Sequence, residues 1–267
     1  MVLNTIEMGE SGPRVVFCHG LFGQGKNWTG IGKALAEDYR VVLVDLPDHG
    51  HSPRSERFDF LDYADRVAEL LSGDSGGADP VALVGHSMGG KVAMLLALRH
   101  PELVERLVVV DVAPVAYPHA AEFEAYIAAM QAIDLEGLEG RGDADAALQS
   151  AVPNPMVRGF LLQSLRREAG GWRWLLNLDV LGRDLDTITD WPEGELAADA
   201  TYPGKVLWVG GANSPYVDDG YVAAMDRLFP FNRRVTIKGA GHWVHSEQPE
   251  VFLEVLRRFL ESPAQSD

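Results

Sequence analysis

One pentapeptide constrains this chain more than any other stretch: Gly85-His86-Ser87-Met88-Gly89, followed by Gly90. It is a G-x-S-x-G pattern with a Val-Leu-Val run before it and an Ala/Leu-rich helical pattern after it. A serine on a tight strand-to-helix turn exposes its Oγ on strained backbone, and glycines two before and two after remove side chains that would clash there. The helix start behind Ser87 favours developing negative charge. The pattern alone arises by chance; with these flanks, Ser87 reads as a nucleophile rather than as an ordinary turn residue.

The rest of the chain supplies the scaffold such a turn requires. Short apolar runs at Arg14–Cys18, Val41–Asp45, Val81–Gly85, Leu107–Asp111, Val206–Gly210 and Arg234–Lys238 alternate with helical patterns at Trp28–Asp38, Phe60–Leu71, Met88–Arg99, Tyr221–Leu228 and Pro249–Leu260. Runs apolar on both faces predict a mostly parallel, doubly wound α/β sheet covered by helices. One stretch breaks the rhythm. Between Ala113 and about Ala200 no strand is expected, and helices are expected near Ala120–Ile133, Ala144–Ser150, Pro155–Ala169 and Gly171–Val180. The reading is a core of residues 1–112 and 201–267 with a helical cap, 113–200, inserted before the penultimate strand. Such a cap would lie over the carboxyl ends of the strands, where open α/β sheets bind ligands. The tail Glu261–Asp267 is expected to fray.

Composition narrows the partners. With 39 acidic and 23 basic residues the formal net charge is −16. Such a surface repels phosphate backbones and anionic membrane, so neither nucleic acid nor membrane is expected as a partner. Cys18, the single cysteine, stands in the apolar run Val15-Val16-Phe17-Cys18 and reads as a core residue. No cysteine metal site can be built, and no metal or organic cofactor is expected. No basic segment leads an apolar core at the start, and no apolar run reaches the roughly 18 residues of a membrane span, so a cytoplasmic location is the default.

The candidate base follows the last strand. In Gly239-Ala240-Gly241-His242-Trp243-Val244-His245, His242 has the glycine-flanked loop position and the serine-then-histidine order that would let imidazole reach Ser87. His245 is its rival, and His86 beside the nucleophile is expected to hold the turn. An oxyanion needs two backbone N–H groups. One would come from Met88, the other from the loop His19-Gly20-Leu21-Phe22-Gly23, with Leu21 the candidate and Phe22 the alternative. The acid is less direct. After Val206-Leu207-Trp208-Val209-Gly210, the usual place, the chain offers Ser214 rather than a carboxylate, and Asp218 and Asp219 read as a helix start. Asp111 ends the neighbouring apolar strand, where a carboxylate is costly without a partner. It is therefore assigned as the acid, with Ser214 as an additional hydrogen-bonding member.

These segments together resemble one branch of the α/β hydrolases, the YbfF-type bacterial esterases and related mitochondrial serine hydrolases. The matching stretches include His19–Gly23, Asp48-His49-Gly50-His51-Ser52-Pro53, Gly85–Lys91, Asp111–Val115, Asn213-Ser214-Pro215-Tyr216-Val217 and Gly239–His245. The branch usually has Arg-Asn where this chain has Pro47-Asp48. The resemblance implies the α/β-hydrolase fold, the displaced acid at Asp111, participation of Ser214, and activity on acyl esters, acyl-CoA thioesters among them. The expected function is a serine esterase or thioesterase working on small molecules through an acyl-enzyme on Ser87. The alternatives are perhydrolysis or acyl transfer on the same residues, or a non-catalytic receptor on the same scaffold. Phe22, Phe123, Tyr126, Met130, Trp172, Trp174 and Trp243 are the expected pocket residues. A monomer or homodimer is expected.

Overall fold

A computed structural model describes residues 2–73, 79–118 and 121–263. Its strands are β1 (Thr5–Met8), β2 (Arg14–Cys18), β3 (Arg40–Val44), β4 (Val81–His86), β5 (Val104–Val110), β6 (Leu165–Glu168), β7 (Gly171–Trp174), β8 (Lys205–Gly211) and β9 (Asn232–Ile237). Its α-helices are α1 (Thr29–Leu35), α2 (Phe60–Gly73), α3 (Met88–Arg99), α4 (Ala121–Gln131), α5 (Arg141–Leu148), α6 (Pro155–Leu161), α7 (Leu178–Arg183), α8 (Leu185–Thr189), α9 (Val222–Leu228), α10 (Val244–Glu247) and α11 (Pro249–Leu260).

Seven strands form one sheet in the order β1-β3-β2-β4-β5-β8-β9, parallel throughout except for the β1/β3 edge pair. Period-two alternation sends successive side chains to opposite faces. Val15 and Phe17 pack with α1 and α11, whereas Val16 and Cys18 pack with α2 and α3. Both faces are therefore dry, which is why the inner strands carry continuous Val and Leu runs. All six residues of β4 are buried. Cys18 lies wholly inside, and burial pushes its thiol up to about 12.

The register lines up the chemistry. Gly85 pairs with Val109 and His86 with Val110, and Val110 in turn pairs with Val209. Residues just beyond these pairs emerge side by side at the carboxyl edge of the sheet, about 4.8 Å from strand to strand.

Two parts of the architecture differ from the sequence reading. Strand β1 was not expected. It is a four-residue edge strand held antiparallel to β3, too short and too polar to signal itself. The segment between β5 and β8 was expected to hold helices alone, yet β6 and β7 form an antiparallel hairpin joined by Ala169-Gly170. Helix α6 stops at Leu161 rather than running to Ala169, and Gly171–Trp174 is strand rather than the start of a helix that begins only at Leu178. The alternation Leu165-Arg166-Arg167-Glu168 against Gly171-Trp172-Arg173-Trp174, closed by a two-residue turn, favours a hairpin. The expected helix start at Ala120 lies outside the described residues, as do residues 264–267 of the tail.

The 113–200 segment is tied to the sheet unit by polar contacts. Lys91 Nζ donates to the carbonyl oxygens of Thr189 and Asp190, and Asn177 Nδ2 donates to Asp48 Oδ1 at 2.7 Å. Gln24 Nε2 and Lys26 Nζ both donate to the carbonyl oxygen of Gln163. Among the described residues no helix is long and apolar enough to cross a membrane.

Candidate active site

Ser87 is the hinge between β4 and α3, with φ 53° and ψ −121°. A side chain in that conformation is strained, and it persists because the surroundings fix it. Its N–H donates to Val110 O at 3.0 Å, and its carbonyl accepts from Gly90 N and Lys91 N. The flanking glycines are required by close approach: a Cβ on Gly85 would stand 2.3 Å from Gly89 O, and one on Gly89 would stand 2.3 Å from His19 O. A side chain at Gly85 would push strand β4 away from the start of α3, and one at Gly89 would push the turn away from the His19–Gly23 loop.

Three strand ends converge on this hydroxyl. His242 follows β9, and its Nε2 lies 3.1 Å from Ser87 Oγ. Its Nδ1 lies 2.7 Å from Asp111 Oδ2. A carboxylate only accepts, so Nδ1 carries the proton and Nε2 is left to receive one from Ser87. Asp111 follows β5 at φ 52° and is fully buried. Its Oδ1 accepts from Gly211 N at 2.9 Å, and Ser214 Oγ donates to Oδ2. Ser214 thus touches the carboxylate rather than the imidazole. Asp218 instead accepts from Gly220 N at the start of a short helical turn, on the exposed surface.

His86 and His245, on either side of His242, make structural contacts. His86 Nε2 donates to the carbonyl of His242 at 2.8 Å, and burial pushes its pKa well below the ordinary histidine value, with His242 and His245 adding to the shift. His245 stacks on Trp28 at 4.0 Å, and burial, with His242 beside it, drives its pKa to about 3. His245 Nδ1 has no hydrogen-bond partner among the described residues. Both rings are neutral props behind His242.

The Leu21 and Met88 amides, the expected oxyanion donors, make no hydrogen bond among the described residues. The alternative donor, Phe22, has φ 64°, and its N–H already points to His49 Nε2 at 3.3 Å. His49 Nδ1 donates to Pro47 O, which leaves Nε2 as the acceptor.

The profile of the α/β-hydrolase fold matches residues 13–249. The chain belongs to the α/β-hydrolase family. This hydrolase is 39% identical over 263 residues to a Mus musculus protein named sn-1-specific diacylglycerol lipase ABHD11, covering 96% of this chain and 84% of that protein. It is 33% identical over 246 residues to esterase YbfF of Escherichia coli, covering 92% of each. A solved structure titled marine microorganism esterase superposes with a TM-score of 0.91 at 31% identity, covering 97% of this chain and 99% of that one.

Two small cavities, of about 20 and 40 Å³, meet at Ser87 in this hydrolase. The first is lined by Phe22, Phe123, Tyr126 and Trp243, together with Val157, Phe160 and Leu161. The second runs past Met88, Lys91, Val112, Tyr117, Ile188, Thr189 and Tyr216. Three expected pocket residues lie elsewhere. Met130 is wholly buried, while the indole N–H groups of Trp174 and Trp172 donate to Met130 O and Leu138 O, so all three pack within the 113–200 segment and line neither cavity. Residues on α6, with Lys91, Tyr117 and Tyr216, were missed as lining residues. Only Lys91 carried a visible signal, a charge inside an otherwise apolar helix. A larger cavity of about 460 Å³ lies beyond Trp243 and Phe160, lined also by Lys26, Asn27, Gln163 and Ser246.

Proposed function

We propose that this protein hydrolyses small-molecule acyl esters or thioesters through an acyl-enzyme on Ser87, with His242 as general base and Asp111 as its orienting acid. The chain is a carboxylic ester hydrolase of the α/β-hydrolase family; the route and the substrate type are the proposal. The observation that carries it is the unbroken line Ser87 Oγ to His242 Nε2 to Asp111 Oδ2, at 3.1 and 2.7 Å. His242 takes the hydroxyl proton as Oγ attacks the carbonyl carbon. The Leu21 and Met88 amides hold the tetrahedral oxyanion, where each donor is worth about 10²–10³ in rate. His242 then gives its proton to the departing alcohol or thiol, and water repeats the sequence to free the acid. The 113–200 segment acts as the cap over this site. Its small cavities favour short to medium acyl chains, and the larger cavity beyond Trp243 takes the leaving group.

The test is covalent. A fluorophosphonate probe should label the protein at Ser87, and Ser87→Ala should lose both labelling and nitrophenyl-acyl hydrolysis while keeping its circular dichroism spectrum. Labelling elsewhere, or near-normal turnover by the folded alanine variant, would overturn the reading.

A further inference from the structure

Lys91 is a buried cation with no carboxylate in contact. It stands four residues after Ser87, about one turn further along α3, and is only 2% exposed. Its ammonium donates to Thr189 O at 2.8 Å and Asp190 O at 2.5 Å. The third N–H has no acceptor among the described residues. The rings of Phe60 and Tyr117 lie 5.6 and 5.1 Å from Nζ. The Asp190 carboxylate makes no direct contact with the ammonium, and its Oδ1 accepts from Trp191 N. Burial accordingly pushes the Lys91 ammonium down to about 7, opposed by the charge of Asp190.

Holding the 113–200 segment in place does not require this charge. A neutral donor would satisfy the same two carbonyls at a smaller desolvation cost, because a buried charge without a counter-ion is expensive. What the charge does distinguish is the cavity beside it. Lys91 lines the space that opens from Ser87 past Val112, Tyr117 and Tyr216. Among the described residues lining the two cavities at Ser87, it is the one lysine or arginine.

We propose that Lys91 selects acyl groups that end in a carboxylate, receiving that carboxylate at the far end of the acyl cavity, so that half-esters of short dicarboxylic acids are preferred over neutral esters of equal length. The proposal rests on Ser87 being the acylated residue. The incoming carboxylate supplies a counter-ion in direct contact and accepts the third N–H, while the ester carbonyl stays over Ser87.

The experiment measures kcat/KM for the monomethyl esters of succinic, glutaric and adipic acids against methyl esters of the matching monocarboxylic acids, in wild type, Lys91→Met and Lys91→Arg. A companion measurement in wild type alone asks whether free glutarate inhibits neutral-ester hydrolysis competitively. Wild type should prefer at least one half-ester, and glutarate should inhibit. In Lys91→Met the ratio of half-ester to neutral-ester kcat/KM should drop about ten- to hundredfold, as loss of a charged hydrogen bond implies, and Lys91→Arg should keep part of it. Equal or faster hydrolysis of neutral esters at every length, with no inhibition by glutarate, would overturn the proposal, and those two readings decide even if the methionine variant fails to fold. An unchanged ratio in folded Lys91→Met would overturn it too. No hydrolysis of any ester would instead contradict the proposed function, and this inference with it.

Discussion

Asp48 and Asp111 share several local features. Each follows a strand at the carboxyl edge of the sheet, each has a left-handed φ (64° and 52°), and each is buried, at 1% and 0% exposure. Each carboxylate is satisfied by donors rather than by a lysine or arginine. Asp48 accepts from Ser55 N, Ser55 Oγ, Tyr63 OH and Asn177 Nδ2. Asp111 accepts from Gly211 N, Ser214 Oγ and His242 Nδ1. The difference is a single donor. Every partner of Asp48 is a fixed dipole, so its charge can only hold the 45–55 loop, α2 and the 113–200 segment together. One partner of Asp111 is an imidazole whose other nitrogen faces a serine, so its charge can stabilise a cation that forms during reaction. A buried, strained aspartate is thus not in itself a sign of catalysis; a titratable partner that reaches a cavity is.

His242→Ala removes the one donor that separates the two sites and should lower kcat about 10⁴-fold or more. His245→Ala, which takes away a prop behind Trp28, should cost far less activity than stability. Equal losses of kcat from the two changes would move the base to His245.

The rings behind the Asp111 site are held neutral by burial, His245 at about 3. Its folded pKa lies below the unfolded value of about 6.5, so the unfolded chain binds more protons between the two. The stabilisation is complete above about pH 6.5 and is lost as the pH falls through this window toward 3. At pH 5 the loss is about 2 kcal/mol for His245 alone. Melting temperature should therefore fall between pH 7 and pH 5, and the fall should be smaller in His245→Phe. An identical drop in the two proteins would show that His245 is protonatable in the folded state.

The sheet unit was legible in the sequence because its signals are local. Burial on both faces writes continuous apolar runs, and α3 and α11 have the bounds expected of them, Met88–Arg99 and Pro249–Leu260. Ser87 and His242 could be named because flanking glycines mark their turns and the chain order suits them, and Asp111 because a carboxylate ends an apolar strand in a segment that resembles the family's. The 113–200 segment was less legible for the opposite reason. Trp172 and Trp174 looked like pocket residues because large aromatics suit either a pocket or a core, and the choice depends on the hairpin that turns them toward α4 and the α4–α5 connection. Lys91 and Tyr216 were visible as residues but not as lining, since their positions depend on how α8 and the loop after β8 close over α3. Asp48 was seen only as a departure from a related motif, because the Asn177 that partners it lies 129 positions away.

The orienting role proposed for Asp111 separates it from Asp48. Its most direct test is kcat on a nitrophenyl acyl ester for Asp111→Asn beside Asp48→Asn, each with its melting temperature. Asparagine at 111 keeps the shape but can offer Nδ1 a donor instead of an acceptor, favouring the wrong tautomer, a change that costs about 10⁴ in a serine protease; kcat should fall here by about 10²-fold or more. Asparagine at 48 puts a donor where only donors point, so stability should fall by about 1–3 kcal/mol while kcat per folded molecule stays within a few-fold of wild type. A folded Asp111→Asn protein at full activity, or a loss of kcat from folded Asp48→Asn as large as that from Asp111→Asn, would rule out that role.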